Sequence, residues 1–342
     1  MVKQTENSRE RRGRLCGMFL DYWLEAPSEV DGAILLVGTG LQDIQDAAQA
    51  HGRSTTWWSW FPEGTADNVQ FPPNATYAEA VIRIPPEKAR LRLCIEVVAA
   101  RLSPGATLWL FGSNDEGIRS VQALGAPFFE RGVTVSARKH ARVVGFTRLT
   151  GGTPRVALEA FRQSSDLTLT DQVHQWHHFP GTFAKGRLDH GSKLLLDAFK
   201  PDIKPKRVLD FGCGTGVLMG LSSVLTGSRL HGLDRDQLAL EATRINVPQA
   251  QCHWSNRWLE DTTVQFDIII SNPPIHDGKI EDHTIVLKLI EDAQRYLVPN
   301  GELWMVIQHR VPVARLISAY FEQFDIISQN SVFKVWRAVQ KD

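Results

Sequence analysis

The stretch that most constrains this chain is Arg207-Val-Leu-Asp-Phe-Gly-Cys-Gly-Thr-Gly216. Val208 and Leu209 read as a buried strand, the three glycines as a turn, and Val217 to Met219 as the start of a helix. That order belongs to a doubly wound α/β sheet, because a glycine turn lets backbone approach a ligand and aims helix N–H groups at it. About sixty residues further on, Phe266-Asp-Ile-Ile-Ile-Ser-Asn-Pro-Pro274 is a second buried strand, and it ends on an asparagine set before two prolines.

The halves of the chain repeat one order. Residues 1–32 read as helix. Ala33–Gly40 is then a short strand with a glycine turn, and Ala80–Pro86 is an apolar run stopped by two prolines. Pro86–Arg101 has helical spacing, Ala106–Gly112 is a third strand, and Arg138–Arg148 closes the set. In the second half come Arg207–Gly216, Phe266–Pro274, a helix over Thr284–Leu297, a strand over Glu302–Ile307 and a closing strand at Phe333–Val339. Gly105-Ala-Thr-Leu-Trp-Leu-Phe set against Gly301-Glu-Leu-Trp-Met-Val-Ile carries the repeat. The expectation is two tandem doubly wound Rossmann-like α/β domains from an internal duplication, 1–165 and 166–342. Gly151–Pro154 and Thr168–Gly181 serve as the connecting region, and Val156–Gln163 as a helix-like stretch. The first copy has no acid before Val37-Gly-Thr-Gly40 and sets Arg83-Ile84 against Ser271-Asn272, so it is expected to be degenerate. At 342 residues the chain is comfortable for two such domains.

An acid stands just ahead of the second glycine turn. Asp210 there disfavours a pyrophosphate and suits the ammonium of a methionine moiety, so Gly212, Gly214 and Gly216 are read as a cradle for S-adenosylmethionine. Asp234, at the end of the next strand, suits a pair of ribose hydroxyls. Ser255 or Asn256 is placed to hydrogen-bond an adenine ring, and Trp254 or Trp258 to pack on it.

Asn272 and Pro273 stand at a strand's carboxyl end, where doubly wound sheets bind ligands. A side-chain carbonyl from Asn272 and a main-chain carbonyl from Pro273 make a two-acceptor clamp for an –NH₂ group. The nitrogen lone pair then faces a sulfonium methyl. Transfer from a positively charged donor needs no prior deprotonation, so alignment and dehydration provide the rate gain.

These two motifs together resemble the amino-group methyltransferases. With Pro180–Leu196, Asn272–Gly278 and Phe333–Arg337, the pattern resembles the bacterial 16S ribosomal RNA guanine-N2 methyltransferases of the RsmC type. The resemblance implies a tandem fold with an inactive N-terminal copy that docks RNA, and N2-methylation of one guanine in 16S rRNA within the assembled 30S subunit. It also implies that the segment from Phe183 to Ser192 closes over cofactor and base, with Asp189, Gly191 and Ser192 near the methionine end. Pro274, Ile275 and His276 would line the base. The family more often has phenylalanine where this chain has Ile275, and Phe183 or His276 is the substitute platform. Arg138, Lys139 and Arg142 form the candidate RNA patch of the first unit.

Lys plus Arg and Asp plus Glu each total 38, so any basic surface is local. Four dispersed cysteines argue against a disulfide framework or zinc site and for a reducing compartment. His174, His177 and His178 are too loosely arranged for a metal, and none is expected. No stretch reads as a signal peptide or membrane span, so a cytoplasmic monomer is expected. Two other functions fit the pattern less well. One is a 23S rRNA guanine-N2 methyltransferase; the other is a non-catalytic RNA-binding assembly protein, which intact Asp210, Asp234 and Asn272 speak against.

Overall fold

The computed structural model describes residues 8–25, 32–63, 68–138, 140–169, 172–259, 261–273, 276–277, 280–281 and 284–341, the backbone alone at 8, 9, 68, 276, 277, 280 and 281. The chain divides into two compact units, Met1–Arg162 and Gln163–Asp342. No helix among the described residues is long and apolar enough to cross a membrane.

The first unit runs α1 (Ser8–Glu25), β1 (Ile34–Val37), α2 (Gln42–Ala50), β2 (Thr55–Trp58), β3 (Asn68–Val69), β4 (Tyr77–Arg83), α3 (Lys88–Ala99), β5 (Leu102–Ser113), α4 (Val121–Gly125), β6 (Val133–Arg138) and β7 (Ala141–Thr147). Its sheet is ordered β3-β2-β1-β4-β5-β7-β6, parallel except where β7 pairs with β5 and β6. Leu15, Phe19 and Trp23 of α1 pack with Ile34, Leu36, Val81 and Phe111 as one side of the core. The run Ile-Leu-Leu-Val of β1 is buried throughout, as a parallel strand covered on both faces must be.

The second unit opens with an antiparallel hairpin, β8 (Gln163–Leu169) and β9 (Gln172–His178). Then follow α5 (His190–Ala198), β10 (Arg207–Phe211), α6 (Val217–Leu221), β11 (Arg229–Asp234), α7 (Gln237–Asn246), β12 (Gln251–Trp254) and β13 (Phe266–Ser271). A two-residue ladder, β14 (His276–Asp277) with β15 (Ile280–Glu281), precedes α8 (Thr284–Tyr296), β16 (Leu297–Gln308), α9 (Val313–Ile317), β17 (Gln323–Gln329) and β18 (Phe333–Val339). The sheet order, β12-β11-β10-β13-β16-β18-β17, is that of the first unit. One face is covered by α8 and α9 through Val286, Leu289, Ile290 and Ile317; the other takes Leu195, Leu218, Met219 and Leu240 from α5, α6 and α7.

The hairpin corrects the sequence expectation. Thr168–Gly181 reads as a polar connection, yet most of it is strand, and of Val156–Gln163 only Leu158–Phe161 forms a short 3₁₀ turn. Only one face of the hairpin is covered, by Leu167, Leu169, Trp176 and His178, so its composition stays polar. Trp176 donates to Thr215 Oγ1 at 3.0 Å, and Asn246 binds both the N–H and the carbonyl of His177 at 2.8 Å, which fixes the hairpin over the glycine turn.

At the strong end of the sheet, buried Glu302 accepts from Trp304 Nε1 at 2.7 Å, Arg337 at 2.8 Å and the Asp202 N–H at 3.1 Å. Removing one partner of such a pair leaves a buried charge uncompensated. Glu302→Ala is therefore expected to destabilise the second unit by about 3 kcal/mol, read from the denaturation midpoint at unchanged slope.

Candidate active site

The sheet order itself makes the site. From β10 the chain winds outward through β11 and β12, then returns to the other side of β10 as β13, so a crevice opens above the carboxyl ends of β10 and β13. Their register sets Phe211 beside Ser271 and therefore the Gly212 turn beside Asn272. One cavity there is lined by Phe183, Arg187, Asp189 and Ser192, by Gly212 to Thr215, and by Asn272.

The glycine turn needs its glycines. Gly212, Gly214 and Gly216 have φ of 71°, 55° and 84°, a region side-chain-bearing residues rarely adopt. A Cβ built at Gly214 meets nothing within 4 Å, so open space lies directly before the turn. Asp234 holds the turn from below: one carboxylate oxygen accepts the Gly214 N–H at 2.7 Å and the other the Asp236 N–H at 2.7 Å. Each oxygen keeps a second lone pair for a ribose hydroxyl. Thr243 Oγ1 donates to the Gly214 carbonyl at 2.8 Å.

Asp210 is fully buried, and neither of its oxygens makes a hydrogen bond of good geometry. Burial first, then the charge of Asp234, push its carboxyl up to about 8 against the pull of the Met219 N–H. Burial likewise lifts Asp234 to about 6. A buried acid under an open cradle and a half-buried one beside it fit a cationic ligand. S-adenosylmethionine, with a sulfonium, an ammonium and one carboxylate, is such a ligand. Asp234 would face its ribose, and Asp210, beneath the turn, would act on its ammonium through the backbone rather than by direct contact.

Across the crevice, Asp189 caps α5, accepting from the Gly191 and Ser192 N–H groups at 2.9 and 3.1 Å. The same oxygen accepts from Asn272 Nδ2 at 2.9 Å, and Ser192 Oγ accepts from Nδ2 at 2.9 Å. Asn272 Oδ1 makes no hydrogen bond to a described residue, and Asn272 lines the cavity. Pro273 follows, buried. Phe183 is 65% exposed at the cavity lip, behind a turn in which Ala184 and Lys185 hold φ of 57° and 49°. Arg187, which the sequence reading did not single out, lines the same cavity and has no ion pair with a described residue; its place between Phe183 and Ser192 was the signal available.

Other expected residues fall elsewhere. The Ser255 N–H donates to the Asp234 carbonyl at 3.1 Å, which puts Ser255 and its neighbour Asn256 just beyond the tip of β12, next to Asp234. Trp258 is not free for an adenine: its ring stacks on Tyr296 at 4.7 Å and packs on Phe211 at 4.8 Å, against the core under the sheet. Trp254 donates to the Arg235 carbonyl at 2.9 Å. Pro274, Ile275 and Lys139 lie outside the described residues, as does the His276 side chain. Arg138 faces Ala141, and Arg142 faces Ala137, across the β6–β7 ribbon; the alternation puts the two arginines on opposite faces, so they do not make one patch. Arg138 lies 3.6 Å from Asp21, and Arg142 donates to Asn114 at 3.3 Å.

The first unit's counterpart is filled. Counted from the first turn glycine, Leu36 stands where Asp210 does and Arg83, rather than Ile84, where Asn272 does. Arg83 is ion-paired with Glu116 at 2.6 Å, a Cβ on Gly38 would meet the Arg83 carbonyl at 2.8 Å, and one on Gly40 would meet the Arg12 side chain at 3.2 Å.

Comparison with known proteins gives the family and the fold. The family "Methyltransferase small domain" matches residues 174–337, and "Methyltransferase small domain N-terminal" matches 29–161. A ribosomal RNA small subunit methyltransferase C of Salmonella choleraesuis is 30% identical over 305 residues, 86% of each chain. That of Hahella chejuensis is 28% identical over 342 residues, 93% of this chain and 97% of its own. Among solved structures, the T. thermophilus 16S rRNA N2 G1207 methyltransferase, in complex with AdoMet and guanosine, superposes with a TM-score of 0.79 at 20% identity, covering 94% of this chain and 91% of its own. At that identity the likeness speaks for the fold.

The buried acids set a pH dependence. Folding holds Asp210 protonated up to about pH 8, whereas in an unfolded chain it ionises near 4. Its contribution is fully present below about pH 4 and is lost as pH rises toward 8, by about 1 kcal/mol per pH unit. Thermal melts of the ligand-free protein should show that decline, and Asp210→Asn should flatten it above about pH 6, leaving the part due to Asp234 below, while weakening S-adenosylmethionine binding at least tenfold by calorimetry.

Proposed function

The chain belongs to the ribosomal RNA small subunit methyltransferase C family, and on that premise we propose that its second unit methylates the exocyclic N2 amine of a guanine in 16S ribosomal RNA, with S-adenosylmethionine as donor. The observation that carries the reading is Asn272 at the cavity that the glycine turn also lines, with both Nδ2 protons held by Asp189 and Ser192 and Oδ1 hydrogen-bonded to no described residue. An –NH₂ group offers two protons; Oδ1 takes one and the Pro273 carbonyl the other. Held so, the nitrogen's lone pair points across the crevice. S-adenosylmethionine supplies, when bound, a methyl group made electrophilic by its positively charged sulfur. The protein contributes alignment and removal of water, which suffices for a neutral amine meeting a cationic donor. The proton leaves the amine after transfer.

Asp210, Gly212, Gly214, Gly216 and Asp234 hold the donor, Ser255 or Asn256 its adenine, and Gly191 lines the methionine end. Phe183, exposed at the lip, stacks on the extruded base in place of the aromatic that Ile275 lacks. The shared strand order of the two units supports an internal duplication, and the filled turn at Gly38 and Gly40 supports a degenerate first copy. We assign that copy, residues 1–165, to docking of RNA and residues 166–342 to catalysis. The substrate on this reading is the assembled 30S subunit, met in the cytoplasm.

Incubation of unmodified small subunits, large subunits and naked 16S RNA with labelled donor, followed by nucleoside analysis, tests the reading. N2-methylguanosine confined to 16S RNA of small subunits supports it; label in 23S RNA, or none anywhere despite donor binding, overturns it. Asn272→Ala should lower kcat about a thousandfold with donor affinity unchanged. Phe183→Ala should raise KM for the subunit about tenfold, the scale of one lost base–aromatic stack.

A further inference from the structure

The two ends of a side-chain amide are nearly equal in shape and opposite in hydrogen-bonding sense. Asn272 can serve as an acceptor for an amine only if its oxygen, not its nitrogen, faces the cavity. Nothing in Asn272 itself decides this. We propose that Asp189, assisted by Ser192, is the positioning residue that sets the orientation of the Asn272 amide and thereby makes the site select a hydrogen-bond donor at the reacting position. The inference rests on the clamp reading above and deepens it.

The argument is one of counting donors. A single Asp189 oxygen receives three N–H groups: from Gly191 at 2.9 Å, Ser192 at 3.1 Å and Asn272 Nδ2 at 2.9 Å. With the two backbone N–H groups of Gly191 and Ser192 already donating to it, that oxygen faces Asn272 as an acceptor. The other Nδ2 proton goes to Ser192 Oγ at 2.9 Å. Both amide protons are thus spent on α5, and Oδ1 is turned the opposite way. Reversing the amide would set Oδ1 against a carboxylate oxygen and present –NH₂ to the substrate, favouring a carbonyl over an amine. The carboxylate also polarises the amide, strengthening Oδ1 as an acceptor. The helix cap of α5 and the substrate clamp of β13 are therefore built on one oxygen atom.

The test is a kcat-against-affinity split on assembled small subunits with labelled donor, alongside calorimetric donor binding. Asp189→Ser keeps a good N-cap but is too short to reach Asn272; it should lower kcat at least tenfold, in the range a charge-assisted hydrogen bond commands, with donor affinity within threefold. Asp189→Asn retains an oxygen for the same bonds and should recover most of that loss. The sign reverses in a second background. In Asn272→Asp, two carboxylates oppose each other, so adding Asp189→Asn should raise kcat at least tenfold above Asn272→Asp alone. A kcat loss under tenfold for Asp189→Ser, a parallel loss of donor affinity, or no gain in the double variant overturns the inference. Full activity of Asn272→Ala would instead overturn the clamp reading, so the two failures are distinguishable.

Discussion

Everything at the site depends on the reversal of winding at β10. Because β13 pairs with β10 in parallel, with Phe211 beside Ser271, a glycine turn and an asparagine about sixty residues apart in sequence become neighbours above the sheet. The adjacency is enforced by strands that are buried on both faces: Leu209 packs toward α8, and Val208 toward α5 and α6. A one-residue slip of β13 would turn Ile268, Ile269 and Ile270 to the wrong faces, and burial on both sides makes such a slip costly. The position of Asn272 beside the glycine turn is thus inherited from the core beneath it.

The same sheet position is used differently in the two units. In the second, Asp210 lies under the turn with no hydrogen bond of good geometry, and open space lies before Gly214. In the first, Leu36 replaces the acid and the side chains of Arg12 and Arg83 close around the turn. A buried unpaired acid works against the ligand-free fold, while an apolar residue there does not. The second unit carries a buried group that works against its own fold, whereas the first has an apolar residue at that position and a filled turn.

Much of this was legible in the sequence, for definite reasons. The buried parallel strands announce themselves as continuous apolar runs such as Ile268 to Ile270, and a glycine turn after such a run has few structural alternatives. The acids and the asparagine were legible because each stands at a strand end. The hairpin of β8 and β9 was not, since it buries one face only and Gln, Ser, Thr and His fill the other. Edge strands β6 and β17 escaped for the same reason, with exposed residues along most of their length. Trp258 was misjudged because sequence position puts it near the crevice; only the fold shows Tyr296 and Phe211 packed on its ring. The first-unit partner of Asn272 was taken one residue late, because matching the paired prolines ignores the register set by the glycine turn.

The orientation of Asn272 could not be read from sequence at all, since it depends on contacts across more than eighty positions. It also joins two features that look separate. The segment leading into α5 holds left-handed backbone at Ala184 and Lys185, a conformation costing of order 1 kcal/mol per residue. It persists because Gly186 is packed so closely on Ser165 and His178 of the hairpin that no side chain fits. The hairpin thus fixes the turn that presents Phe183 and, a few residues on, the cap that turns Asn272. On the proposed function, a peripheral ribbon with a polar sequence would govern both the platform offered to the base and the acceptor offered to its amine, and loosening the hairpin would disturb the chemistry without touching a group that contacts the substrate.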